Sequence, residues 1–250
     1  MATTRRRLDQ LLVERGLAAD LREAGALILA GDVRVAGERV RLAGHAVTPD
    51  TVLSVAREPY VSRGGHKLAA ALDGLGVDVA GLVALDAGAS TGGFTDCLLQ
   101  RGAVRVHAVD VGHGLLAWKV RSDPRVVVHE RTHVDRVTAA TLGEPVDLVT
   151  ADLSFISLRR VLPALAGVVR PGGRLLLMVK PQFEARRDEV PPGGVLVDPA
   201  VRARVVDEVA AAGRELGLVE RGRLASPVAG ADGNVEVFLL LEGAPCASPS

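Results

Sequence analysis

Apolar and polar positions alternate along this chain in two rhythms, and the change between them divides it. In the first stretch, Leu8, Leu11 and Leu12 recur at helical spacing and stop at Gly16, which predicts a short amphipathic helix. Asp20 precedes a second face made of Ala24, Leu27 and Ile28, so a helix over 20–29 with Asp20 as its N-cap is expected. Residues 31–40 read as a hairpin around Ala36-Gly37, with Arg34, Arg39 and Arg41 on its polar side, and residues 51–55 as a further short strand. From residue 78 onward the pattern changes to solid apolar runs at 82–86, 104–109, 126–128, 146–150, 174–179 and 235–241, with helical stretches between most of them. Strands apolar at every position are buried on both faces, and their alternation with helices predicts a mostly parallel, doubly wound sheet. Asp232-Gly233-Asn234 ahead of the last run is a hairpin signal.

Composition narrows this picture. A length of 250 residues suits one large or two smaller domains, and 48% hydrophobic with 24% charged residues is ordinary for a soluble globular protein. The formal net charge is zero, so any nucleic-acid site must be a local patch. Cys97 falls on an expected buried helix face and Cys246 in a Ser/Pro-rich tail, so no disulfide is expected, in keeping with a reducing cytoplasm. The basic N-terminus has no apolar core behind it and no apolar run approaches about 20 residues, so neither a signal peptide nor a membrane span is expected. The tail 243–250 is expected to be disordered, and Trp118 is expected to pack a helix into the core. Lys67, Lys119 and Lys180 are the only lysines among many arginines; lysine, unlike arginine, can release its proton when desolvated.

The chemistry gathers at the strand ends. The run ending in Leu85-Asp86 is followed by the small turn Gly88-Ala89-Ser90-Thr91-Gly92-Gly93, then by a helix from Phe94 to Arg101 closed by Gly102. Strand, glycine turn and helix present backbone N–H groups to a ligand, and the missing Cβ atoms let it approach closely. The next strand ends at Asp110, about 20 residues on, where a ribose-binding carboxylate belongs. The glycine spacing is not that of a dinucleotide fingerprint, and the turn lacks the Lys-Ser or Lys-Thr of a P-loop. A cofactor carrying a ribose but no phosphate, S-adenosylmethionine, fits better. Asp152 and Lys180 likewise follow apolar strands, Pro181 fixes Lys180 at the rim, and Glu236 is expected one residue into the last strand. In the segment 58–68, Pro59 and Gly64-Gly65 mark an irregular junction, after which Lys67 opens a helix running to Leu75.

Two resemblances follow from these residues. Arg7-Leu8-Asp9-x-x-Leu12, Gly16-Leu17-Ala18, Ala24-x-x-Leu27-Ile28 and Gly31-x-Val33-x-Val35-x-Gly37 resemble an S4 RNA-binding domain, although Asp20-Leu21 stands where that family usually has Ser-Arg. Lys67, Asp152, Lys180 and Glu236, with the strings 62–68, 88–96, 151–157 and 179–184, resemble the Lys-Asp-Lys-Glu tetrad of FtsJ-like ribose 2′-O-methyltransferases. Together they resemble the TlyA family, also labelled hemolysin-like; His66 and His133 are minor departures from its pattern.

The resemblance implies an α/β class I methyltransferase fold, Rossmann-like, with a mostly parallel seven-stranded sheet and a small N-terminal S4-like α+β domain. It implies an S4-like domain over 5–57, a junction over 58–66 and a methyltransferase domain over 67–242. Lys180 would serve as base or steer the hydroxyl, Asp152 would hold it near the methyl donor, Lys67 would contact a flanking phosphate, and Glu236 would orient the lysines. The cofactor would rest on Asp86, Gly88, Ala89, Ser90, Gly92, Gly93, Phe94, Asp110 and Asp152, and RNA on Arg5, Arg7, Arg22, Arg34 and Arg63, with no metal. The implied substrate is ribosomal RNA in ribosomal subunits, with cytidine as the target; the oligomeric state is left open. A ribose 2′-OH is a poor nucleophile until its oxygen is positioned and its proton accepted, which is work for a rim lysine held by carboxylates. A small-molecule O-methyltransferase, which needs no S4-like unit, is one alternative; a non-catalytic ribosome-assembly factor and a membrane-lytic protein are others.

Overall fold

The computed structural model describes residues 5–56, 58–230 and 233–244; Asp232, Cys246 and the tail 245–250 lie outside them. The chain divides into Met1–Pro59 and Tyr60–Ser250. The first unit holds β1 (Arg6–Arg7), α1 (Leu8–Glu14), α2 (Leu21–Ala30), β2 (Val33–Val35), β3 (Glu38–Arg39), β4 (Ala46–Val47) and β5 (Leu53–Val55). Asp20 caps α2 by accepting from the Glu23 N–H at 2.8 Å, and Ala36 and Gly37, both with positive φ, form the two-residue turn that joins β2 to β3. Leu8, Leu12, Ala24, Ile28 and Val33 close its small core.

The second unit runs through α3 (Arg63–Gly74), β6 (Val83–Ala87), α4 (Gly93–Gln100), β7 (Arg105–Val109), α5 (Trp118–Arg121), β8 (Val126–His129), α6 (Ala139–Leu142), β9 (Val146–Ala151), α7 (Leu158–Val168), β10 (Val169–Val179), α8 (Pro181–Glu184), α9 (Pro199–Glu215), β11 (Val219–Ala225) and β12 (Val237–Glu242). The sheet order is β11-β12-β10-β9-β6-β7-β8, parallel except for β12, which runs antiparallel to both its neighbours. Side chains alternate through it: Leu175, Leu177, Leu239 and Leu241 pack on one face with α7 and α9, whereas Leu176, Met178, Phe238 and Leu240 pack on the other with α3 and α4. Strand order reverses between β6 and β9, and a crevice opens at the carboxyl ends of strands at such a switch point.

Four local expectations need correction. The helix at the junction begins at Arg63, so Gly64-Gly65 lie within its first turn rather than in an irregular segment. Packing explains the second glycine: a Cβ on Gly65 would sit 2.2 Å from Tyr60 Cγ, so Gly65 admits that ring against the helix. Trp118 is not core; it is 77% exposed, and Leu116 and Val120 beside it turn inward instead. Glu236 immediately precedes β12 rather than lying inside it. Finally, β11 escaped the apolar pattern because it is a sheet edge with every second residue exposed and Arg/Glu pairs along it. Beyond it the Ser226 N–H donates to the Glu236 carbonyl at 2.8 Å and the Gly230 N–H to the Asn234 carbonyl at 3.0 Å, while Asp232 of the expected hairpin signal lies outside the described residues.

Candidate active site

The glycine turn after β6 is held by its neighbours. Gly88, Ser90 and Gly92 have positive φ, and the Gly88 and Ala89 N–H groups donate to the Val109 carbonyl at 2.9 and 3.1 Å. A Cβ on Gly88 would lie 2.6 Å from the Asp152 carbonyl oxygen, so only glycine lets the β6 and β9 turns approach this closely. Asp110 braces the same turn: Oδ2 accepts from the Ser90 N–H at 2.8 Å and Oδ1 from the Gly112 N–H at 2.7 Å. Each oxygen keeps a second lone pair for a ligand hydroxyl. Spacing placed Asp110 at a nucleoside pocket but gave no sign of this second task.

Asp86 lies fully buried beneath the turn. Its Oδ2 accepts from Thr95 Oγ1–H at 2.6 Å, while Oδ1 has no partner among the described residues. Burial pushes its pKa up to about 7; the Thr95 hydroxyl opposes that rise and the nearby negative Asp152 adds to it.

The four tetrad residues arrive from α3, the β9 and β10 exits and the approach to β12, and they line one cavity of about 260 Å³ together with Arg63 and the glycine turn. They form two ion pairs. Lys67, 7% exposed, donates from Nζ to Oε2 of Glu236, 3% exposed, at 2.6 Å. Lys180 Nζ lies 2.6 Å from Asp152 Oδ1 and donates to Ser154 Oγ at 2.9 Å. Lys180 and Asp152 thus form an ion pair, with Asp152 Oδ1 itself shut off from solvent. Opposite charges in equal number are what make burial of the set tolerable.

A second cavity of about 310 Å³ shares Gly88, Ser90 and Asp152 with the first and continues past Asp110, with Val111, Leu115, Leu153 and Ile156 as apolar walls. A third, also about 310 Å³, meets the tetrad at Lys180 and Glu236 and is walled by Phe155 and Phe183. Phe155 is 91% exposed with φ of 65°, and its ring centroid lies 5.2 Å from that of Phe183 at 49°. Positive φ in a large apolar residue is an uncommon and costly backbone state. Ser154, Phe155 and Phe183 fall within the strings 151–157 and 179–184 that carry the resemblance, with no role assigned to them there.

The remaining basic residues are spread out. Arg63 is exposed one helical turn before Lys67 and lines the first cavity. Arg5, Arg7, Arg22 and Arg34 are exposed in the first unit, where Arg7 is already in a bidentate pair with Asp9 at 3.1 and 2.6 Å.

The FtsJ-like methyltransferase family matches residues 60–243 and the S4 domain matches residues 6–53. The chain is 51% identical over 240 residues, 95% of its own length and 90% of the relative's, to the 16S/23S rRNA (cytidine-2′-O)-methyltransferase TlyA of Mycobacterium tuberculosis. The chain belongs to the TlyA family of FtsJ-like methyltransferases. A family member named Hemolysin A, from Brachyspira hyodysenteriae, is 36% identical across 92% of this chain and 97% of its own. The solved structure of a hemolysin-named protein from Streptococcus thermophilus superposes with a TM-score of 0.74 at 37% identity, covering 98% of this chain and 91% of that one. No helix among the described residues is long and apolar enough to cross a membrane.

As a member of the TlyA family the chain is a methyltransferase that uses S-adenosylmethionine. The crevice suits that cofactor. A turn stripped of Cβ atoms would receive the methionine end and an apolar-walled cavity beginning at Asp110 would receive the adenosine, whereas Asp86, fully buried, lines neither cavity and supports the turn from beneath through Thr95.

Proposed function

We propose that the chain methylates a ribose 2′-OH of ribosomal RNA, with cytidine as the target nucleotide, on ribosomal subunits in the cytoplasm. The observation that carries this reading is the convergence of Lys67, Asp152, Lys180 and Glu236 on one cavity that opens both into the Asp110 pocket and toward the Phe155–Phe183 pocket. The cofactor, when bound, supplies a sulfonium methyl open to in-line attack. The chain's own side chains then have separate tasks. Lys180, held by Asp152 and Ser154, meets the hydroxyl, places its oxygen and accepts or relays its proton. The Lys67–Glu236 pair forms a desolvated wall that keeps water from that oxygen. Lys67 is buried and already neutralised, so the flanking phosphate falls instead to Arg63, exposed on the same face one turn earlier. Phe155 and Phe183 offer a stacking surface for the target base once it leaves its helix.

In this reading residues 5–57 form an RNA-binding domain, 58–66 the junction and 67–242 the catalytic domain. The S4 match supports it, and so does the hairpin, where Arg34 and Arg39 stand directly opposite one another with Arg41 close to Gly31 beside Arg39. Like charges facing across a ladder oppose folding and favour a polyanion. Incubation with labelled S-adenosylmethionine and isolated 30S and 50S subunits, followed by mapping of the modified ribose, is the test. Label on a base, or none on either subunit, would overturn the proposal.

A further inference from the structure

Glu184 ends α8, the short helix that follows Lys180, and takes no part in the reaction as described. Yet its carboxylate is 4% exposed and fully engaged. Oε2 accepts from Ser157 Oγ–H and Oε1 from the Leu158 N–H, both at 2.6 Å. Arg159 completes the contact, with Nε 3.4 Å from Oε2 and a second nitrogen donating to the Glu184 carbonyl at 2.9 Å. Ser157 stands at the N-cap of α7 but its side chain does not cap the helix. The Leu158 N–H at the positive end of α7 is therefore satisfied by a carboxylate from another segment.

The two segments joined in this way are the ones that carry the reacting groups. The turn leaving β9 bears Asp152, Ser154 and Phe155 before it reaches Ser157; the turn leaving β10 bears Lys180 and Phe183 before it reaches Glu184. On the open side they meet through Lys180–Asp152, Lys180–Ser154 and the two phenylalanine rings. On the buried side the Glu184 carboxylate binds one to the other. Phe155, with its positive φ, lies between Asp152 and Ser157, and such a backbone persists only where its surroundings over-determine it.

From this geometry we infer that Glu184 is a positioning residue, which fixes the separation of Lys180 and Asp152 by fastening the β10 exit to the first turn of α7. The inference rests on the reading of Lys180 and Asp152 as the pair that handles the 2′-OH. Burial raises the Glu184 pKa while the Ser157, Leu158 and Arg159 donors oppose that rise. The ionised form is the one that accepts from the serine hydroxyl and the backbone amide at once.

The test compares full-length Glu184→Ala, Glu184→Gln and Leu241→Ala, the last a buried residue toward the far end of β12 that reports general destabilisation. Glu184→Ala should lower the single-turnover methyl-transfer rate on saturating subunits about 100-fold, the scale of a 1 Å misplacement. S-adenosylmethionine affinity and the subunit KM should stay within about threefold of wild type. Glu184→Gln should recover all but about tenfold, because its amide oxygen still accepts from Leu158 N–H. Leu241→Ala should lose melting temperature without losing rate. Wild-type rate in Glu184→Ala, or an equal rate loss in Leu241→Ala at equal melting temperature, overturns the inference. If wild type itself methylates neither subunit, the reaction reading fails, and the inference is then decided by amide exchange over 152–158. Faster exchange in Glu184→Ala than in Leu241→Ala upholds the brace; unchanged exchange refutes it.

Discussion

Breaking the Lys67–Glu236 pair separates what this site does for stability from what it does for chemistry. Nζ and Oε2 are 2.6 Å apart with both side chains nearly excluded from water. At an effective dielectric of 20, the pair attraction is about 6 kcal/mol, against a desolvation penalty of several kcal/mol for each ion. The pair as a whole is therefore close to neutral for stability, whereas one partner left alone retains its penalty without the attraction. Lys67→Met or Glu236→Leu alone should then cost about 3–5 kcal/mol, and the double variant should lie within about 2 kcal/mol of wild type. Urea unfolding followed by circular dichroism reads these values, and the double-mutant cycle gives the coupling directly. Methyl transfer to subunits should be lost in all three, because the double variant restores the fold without restoring the charges. Single substitutions below about 1 kcal/mol, or a double variant as destabilised as the two singles summed, would refute the claim that the pair is desolvated and coupled.

Other outcomes follow from neighbouring groups. Lys180→Ala should lower methyl transfer by about 10²–10⁴-fold, while calorimetric S-adenosylmethionine affinity stays near wild type. Asp86 binds its proton more tightly in the fold than in the unfolded chain, so its contribution to stability falls as pH rises from the ordinary carboxylate range to about 7. Asp86→Asn should flatten that part of the melting-temperature profile, and an unchanged slope would show that another group titrates there. Reversing Arg34 and Arg39 to Glu should weaken subunit binding, reduce its log–log salt slope by about 2 or more, and leave cofactor affinity unchanged. Asp110→Ala should loosen the turn as well as the ribose contact and weaken cofactor binding about 5–150-fold, the equivalent of roughly 1–3 kcal/mol.

The parallel strands were legible because burial on both faces leaves a run such as Leu175–Val179 without polar interruptions. The edge strand β11 was not, since its exposed side carries Arg221 and Arg223 and an edge has no need of an apolar run. The glycine pair at 64–65 reads locally as a breaker, whereas Gly65 serves a close approach of the Tyr60 ring inside the first turn of a helix. Site residues at strand ends could be found because topology collects them there. Which lysine pairs with which carboxylate could not, because pairing depends on side-chain reach across the crevice. Glu184 left one trace, a carboxylate following Lys180-Pro181, but its partner on α7 is fixed only by the packing of two helices.

Lys67 and Glu236 are 169 residues apart in sequence, and the acid stands at the threshold of the last strand. The antiparallel insertion of β12 between β10 and β11 brings that acid to the rim, so the catalytic wall closes through a long-range contact that no local segment can supply.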